Sequence, residues 1–151
     1  MIVAGAQGVS GRAVLERYAA LPGTSVYGLS RRPAESEGNV RHISVDLLDA
    51  DDVKSKLGHL SAATHLVFGA YVEKPTAAEK TEINVRLPRN VLDSLEVGAP
   101  ALRHITIYQG GKAYGSDLGP YLSPSKSGSG CVRGACASLS SILSNRLKSC
   151  Y

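Results

Sequence analysis

The sequence predicts an α/β fold: a doubly wound parallel sheet with strand order 3-2-1-4-5. Three observations predict it. Short aliphatic runs alternate along the chain with segments of helical pattern. A glycine-rich turn joins the first run to the first helix. Aromatic residues make up only 5% of the 151 residues, so the core must be aliphatic, as in parallel strands buried on both faces.

The elements follow in order. Ile2 to Ala4 reads as a short strand, and Gly5-Ala-Gln-Gly8-Val-Ser-Gly11 follows it. Arg12 to Ala20 has Val14, Leu15 and Tyr18 on one helical face, and Pro22-Gly23 ends it. Ser25 to Ser30 is a second strand, stopped by Arg31-Arg32-Pro33. Val40 to Val45 is a third, closed by Asp46-Leu47. Asp49 can cap the next helix, which runs to about Leu57, because its carboxylate can accept from the unpaired N–H groups of a first turn. Thr64 to Ala70 is a fourth strand. Thr76 to Leu95 places Ile83, Leu87, Val91 and Leu95 four apart, with Pro88 inside, where a kink is expected. Leu102 to Tyr108 is a fifth strand. Right-handed crossovers between these strands give the stated order. Residues 1–122 are read as one domain. Residues 123–151, rich in Ser with Gly and Cys, are read as a basic tail of uncertain order, with a weak amphipathic helix over Ala135 to Leu147.

Charge argues against a nucleic-acid partner. The 17 basic and 13 acidic residues leave +4. That surplus sits in the tail as Lys126, Arg133, Arg146 and Lys148, with no acid after Asp117, and no basic stripe is interleaved with aromatics. No stretch approaches the ~20 apolar residues of a membrane span. Cys131, Cys136 and Cys150 lack the spacing of a zinc or disulfide framework, so a reduced, cytoplasmic setting is expected. His42, His59, His65 and His104 show no ligand spacing and are read as structural or surface residues. No metal is expected.

Gly5, Gly8 and Gly11 form G-x-x-G-x-x-G in the context that gives the motif meaning, after a strand and opening a helix. The first glycine permits the tight turn. The second lets backbone approach a pyrophosphate, and the third lets helix and strand pack closely. The helix start supplies free N–H groups and a positive dipole end. Gln7 and Val9 share this loop. A Rossmann-like dinucleotide site is therefore expected at Gly5, Gln7, Gly8, Val9 and Gly11. At the end of the second strand an acid would favour NAD. This chain has Ser30-Arg31-Arg32 instead, and guanidinium groups pair well with a 2′-phosphate, so NADP(H) is the expected cofactor. Asp46 is placed either at the adenine amine or in a turn of its own. Ala70 and Tyr71 close the fourth strand beside the cofactor, with Tyr71 either shielding the site or lying on the surface. Tyr108 and Lys112 spell Y-x-x-x-K, but that pair works from one helical face. Here Tyr108 ends a strand and Gly110-Gly111 intervene, so only Lys112 is kept as a catalytic candidate.

The run from Val3 to Pro120 resembles the atypical extended short-chain reductases related to progesterone 5β-reductase and iridoid synthase. The pieces that carry the resemblance are VAGAQGVSGRAV, VYGLSRRP, VRHISVDLLDADDV, THLVFGAYVE, INVRLPRNVLDSLE and LRHITIYQGGKAYGSDLGP. The resemblance implies NADP(H), with Arg31 and Arg32 at the 2′-phosphate and Asp46 and Leu47 at the adenine. It implies Gln109 near the nicotinamide and Lys112 as the active-site lysine. It also implies hydride transfer from NADPH to the C=C bond of a small enone, or to a related carbonyl compound, with a tyrosine stabilising the enolate oxygen.

In that family the tyrosine follows well after the lysine, in a segment ending in acids, and this chain has no such segment. Tyr114 and Tyr121 lie near Lys112 in sequence, but neither stands at the matching position. The likeness fades near Pro124-Ser125-Lys126, which implies that the later strands and the substrate domain are missing. A shifted reading frame or an alternative exon end would give this pattern. The expectation is an NADPH-binding reductase-family protein, catalytically incomplete as it stands; a non-catalytic NADP(H) sensor or regulator is the alternative. An uncovered fifth strand would be an open sheet edge, compatible with a homodimer.

Overall fold

Ile2, Val3 and Ala4 have no polar side chain to offer water, and all three are fully buried as β1 (Ile2–Ala4). Successive side chains of a strand point to opposite faces, so a strand buried throughout needs cover on both. The computed structural model describes residues 1–109 and supplies that cover. Its order is β1, α1 (Val9–Ala19), β2 (Val26–Ser30), β3 (Val40–Ser44), α2 (Ala50–Leu57), β4 (His65–Phe68), α3 (Ala77–Gly98) and β5 (His104–Ile107).

The five strands form one parallel sheet in the order β3-β2-β1-β4-β5. β1 is central, with Ile2 opposite Tyr27 on one side and Leu66 on the other. Val3, Ala6, Val26 and Val40 form a core cluster against Val14, Leu15 and Ala19 of α1. In this strand order, the right-handed crossovers that parallel strands favour put α2 and α3 on the face opposite α1. There Val53 and Leu57 of α2 and Leu87, Val91 and Leu95 of α3 are buried. Full burial of each such side chain stabilises the fold by about 1.5–3 kcal/mol.

The expected stripe on α3 is buried at Leu87, Val91 and Leu95 and half-buried at Ile83. The helix runs on through Pro88 to Gly98, three residues past the expected end. Gly98 lies against Gly58, the C-cap residue of α2: a Cβ there would fall 2.7 Å from the Gly58 Cα. Asn90 Nδ2 donates to the Leu47 carbonyl at 2.9 Å, fastening α3 to the segment between β3 and α2.

Two expectations need correction on α1. It begins at Val9, one turn before the expected Arg12, because Gly11 is recruited into the first turn rather than preceding it. Its buried face carries Ala19 and not Tyr18, which is exposed. Midway along β2, Gly28 leaves a gap filled by others. A Cβ there would lie 2.9 Å from both Leu15 Cδ1 and His42 Nδ1. That ring nitrogen is buried and has no hydrogen-bond partner among the described residues.

Residues 110–151 fall outside the described residues. With them go Lys112, Tyr114, Tyr121, the three cysteines and the expected tail helix. Among the described residues no helix is long and apolar enough to cross a membrane, and no cluster of His, Cys, Asp and Glu could hold a metal ion.

Asp49 caps α2 as expected, its Oδ1 accepting from the amides of Asp51 (3.0 Å) and Asp52 (3.1 Å). Asp49→Ala should therefore lower unfolding free energy by about 1 kcal/mol, read from the denaturant midpoint.

The sheet's lower edge carries a pH dependence. His65 and His104 stand in register on β4 and β5, ring centroids 5.7 Å apart. Burial, then the charges of Arg103 and His104, hold the His65 pKa below its ordinary 6.5. The folded protein thus resists a proton that the unfolded chain accepts. This residue's share of stability is intact above pH 6.5 and is lost as pH falls from there through the lower folded value. Urea unfolding at pH 7.5 and 5.5 should show a larger loss for the wild type than for His65→Gln.

Candidate functional site

The carboxyl ends of β1, β2, β3 and β4 meet above the start of α1. Gly5 turns off β1 with φ +80°, in the left-handed region that favours glycine. Its amide and that of Ala6 both donate to the Leu29 carbonyl, at 3.0 and 3.1 Å, which locks the turn to the end of β2. On the other side a Cβ on Gly5 would lie 2.8 Å from the Ala70 amide nitrogen, so the turn also abuts the segment after β4.

Gly11 is buried and tighter still. A Cβ there would fall 2.1 Å from the Gly5 carbonyl oxygen, which no side chain tolerates. Gly8 differs. It is exposed, and a Cβ there would meet only the Gly5 oxygen, at 3.3 Å. The first and third glycines therefore shape the turn itself, while the second leaves the outer side of the turn bare.

Helix starts need partners for their first N–H groups. α2 is capped by Asp49 and carries Asp51 and Asp52 in its first turn. α3 is capped by Thr76, with Glu79 in its first turn. α1 begins on Gly8 with no side-chain cap and no acid in its first turn. Among the described residues, no side chain compensates its dipole end and leading amides. Val9, the first helical residue, is 93% exposed beside them.

At the end of β2, Arg31 and Arg32 are exposed, and neither forms an ion pair among the described residues. Their backbone is held from three directions. Ser30 Oγ donates to the Arg32 carbonyl at 2.7 Å. Ser44 Oγ of β3 donates to the Arg31 carbonyl at 3.0 Å. Gln7 Nε2, from the glycine turn, donates to the carbonyls of Arg32 (3.0 Å) and Pro33 (3.3 Å).

Asp46 is a turn residue: its Oδ1 accepts from the Leu48 amide at 3.0 Å, and its own amide donates to Asp52 Oδ2 at 2.8 Å. Lys56 first, then this Asp46 amide, hold the Asp52 carboxyl below the usual carboxylate range. Leu47 is buried in the core. Tyr71 is exposed, and its hydroxyl donates to Glu73 at 2.8 Å. Tyr108, also exposed, follows β5, and Gln109 is the last described residue.

The structure brings together Gly5, Gln7, Gly8, Val9, Gly11, Ser30, Arg31, Arg32 and Ala70. The bracing bonds of Gln7 and Ser44 were not foreseen from sequence, and nor was Asn84. Asn84 of α3 accepts from the Val72 amide (2.8 Å) and donates to the Val72 and Lys80 carbonyls (2.7 and 2.8 Å). It fixes the segment that follows Tyr71. A lone amide within a helical pattern gives no sign of such a role.

A strand, a glycine turn, an uncapped helix and a 3-2-1-4-5 sheet define the nucleotide-binding half of a dehydrogenase-like fold. The chain belongs to the NAD dependent epimerase/dehydratase family, whose profile matches residues 1–126. It is 32% identical over 120 residues to an (S)-8-oxocitronellyl enol synthase of Nepeta cataria, which covers 75% of this chain and 31% of that one. It is 35% identical over 99 residues to a 3-oxo-Delta(4,5)-steroid 5-beta-reductase of Arabidopsis thaliana, covering 64% of this chain and 25% of the relative. The chain thus spans about a quarter to a third of the length of these relatives. A short chain dehydrogenase family protein from Francisella tularensis shares the fold, with TM-score 0.72 and 17% identity over 98% of this chain and 63% of that one.

Gly11→Ala should cost about 1–3 kcal/mol or more, since backbone must move to admit the methyl group. Gly8→Ala should cost less, at about 0.5–1 kcal/mol for a poorer N-cap residue. Thermal unfolding of the two variants side by side checks the order.

Proposed function

We propose that the chain binds NADPH and belongs to a reductase acting on a small enone or related carbonyl compound. The observation that carries this reading is the start of α1, which alone among the described helices has neither a side-chain cap nor an acid in its first turn. An anion completes it. The residues fit a dinucleotide: Gly8 and Val9 leave room for a pyrophosphate at the helix amides, and Gly5 and Gly11 hold the turn that presents them.

Arg31 and Arg32 supply two guanidinium groups, without an ion pair among the described residues, where the adenosine ribose would lie, which favours a 2′-phosphate over a bare hydroxyl. Asp46 keeps its second carboxylate oxygen free of the turn bond and, with the backbone of Leu47, whose side chain is buried, is proposed to border the adenine. Ala70 and Tyr71 would line the crevice, with Gln109 towards the nicotinamide. When bound, NADPH supplies the hydride for an electron-poor carbon. Lys112, placed on sequence alone, would hold the nicotinamide ribose and favour protonation chemistry nearby. The names of the reductase and enol synthase relatives support an α,β-unsaturated substrate. The reduced, cytoplasmic setting inferred from the cysteines suits such chemistry.

Calorimetry with NADPH and NADH tests the cofactor, and tighter binding of NADPH is expected. Arg31→Ala and Arg32→Ala should each weaken NADPH by about 1.5–3 kcal/mol, roughly ten- to a hundredfold, with much less effect on NADH. Equal wild-type affinities would count against the cofactor assignment. NADPH oxidation in the presence of small enones, lost in Lys112→Ala, tests the chemistry. Tight binding without turnover of any enone or carbonyl would favour a non-catalytic sensor of NADP(H).

A further inference from the structure

We infer that Gln7 and Ser44 are positioning residues for cofactor selectivity, setting the preference for a 2′-phosphorylated dinucleotide without touching the phosphate themselves. The inference rests on the NADPH reading and asks what makes the arginine pair effective.

Two exposed arginines on a free loop are a weak phosphate site, because each must give up rotamer and backbone freedom on binding. Here the backbone freedom is already gone. Ser44 Oγ reaches from β3 to the Arg31 carbonyl (3.0 Å). Gln7 Nε2 reaches from the glycine turn to the Arg32 and Pro33 carbonyls (3.0 and 3.3 Å). The amide orientation of Gln7 is forced, since carbonyl oxygens only accept and only the NH₂ end can donate to two of them.

Every one of these donors takes a main-chain oxygen. Neither arginine forms an ion pair among the described residues, so within them both charges stay available on a braced backbone. The Gln7 bonds also join two parts of the site. The turn that would take the pyrophosphate and the loop that would take the 2′-phosphate are 25 residues apart in sequence and one side chain apart in space. Phosphates at the two ends of the adenosine moiety would thus be met at a set separation. NADH presents only one of them, so it gains less from that separation.

The test is the affinity ratio between NADPH and NADH, repeated with 2′,5′-ADP and 5′-AMP to isolate the adenosine end. Gln7→Met keeps the length of the side chain and removes both donors. Ser44→Ala removes the other donor, and Ser44→Thr restores it. Gln7→Met and Ser44→Ala should each lower the ratio several-fold, up to about tenfold, the scale of one hydrogen bond's free energy. Ser44→Thr should return it towards the wild-type value. A ratio unchanged in both Gln7→Met and Ser44→Ala would overturn the inference, whether the two affinities fall together or stay as they are. If Gln7→Met fails to fold, the Ser44 pair decides alone. A wild type that does not distinguish the nucleotides would instead remove the reading underneath. A selective wild type with unmoved variants would remove only this inference.

Discussion

The architecture turns on one contact between two pieces of backbone. The Gly5 carbonyl oxygen lies where a Cβ of Gly11 would be, 2.1 Å away. That approach lets α1 start directly over the end of β1, so the helix amides open onto the same end of the sheet as β2, β3 and β4. The same Gly5 turn bonds to Leu29 on one side and abuts Ala70 on the other. It is the point where the central strand, its two neighbours and the first helix are held in register. The bare helix start is useful only because this turn fixes where it points.

Around that point the chain separates structural from recognition groups. Polar side chains that could compete for a ligand are committed to main-chain partners: Gln7, Ser30 and Ser44 to the arginine loop, and Asn84 to Val72. Groups that could bind a polyanion, namely the leading amides of α1 and the side chains of Arg31 and Arg32, are left without such commitments among the described residues. A site of this kind is preorganised, because the cost of fixing its backbone is met on folding and not on binding.

Much of this was legible in the sequence for identifiable reasons. Strand order followed from alternation and crossover handedness, which depend on pattern rather than detail. The α3 stripe and the Asp49 cap were visible because periodicity and capping are local. Glycine is a poor helix former, so local preference starts α1 after Gly11; tertiary packing overrides that preference and the helix begins at Val9. Spacing alone puts Tyr18 on the face of Val14 and Leu15, whereas the fold packs Ala19 there and leaves Tyr18 exposed. The bonds of Gln7 and Ser44 to the arginine loop, and of Asn84 to Val72, join residues 12 to 26 apart and leave no periodic trace. They emerge only once the fold has brought the partners together.

The gap at Gly28 has a consequence for how this region can vary. Leu15 from the helix, His42 from the neighbouring strand and the missing side chain of residue 28 share a single space. Enlarging one occupant requires shrinking another. Positions 15, 28 and 42 are therefore bound in a three-way trade of volume, and change among related chains should arrive there in compensating combinations rather than one site at a time.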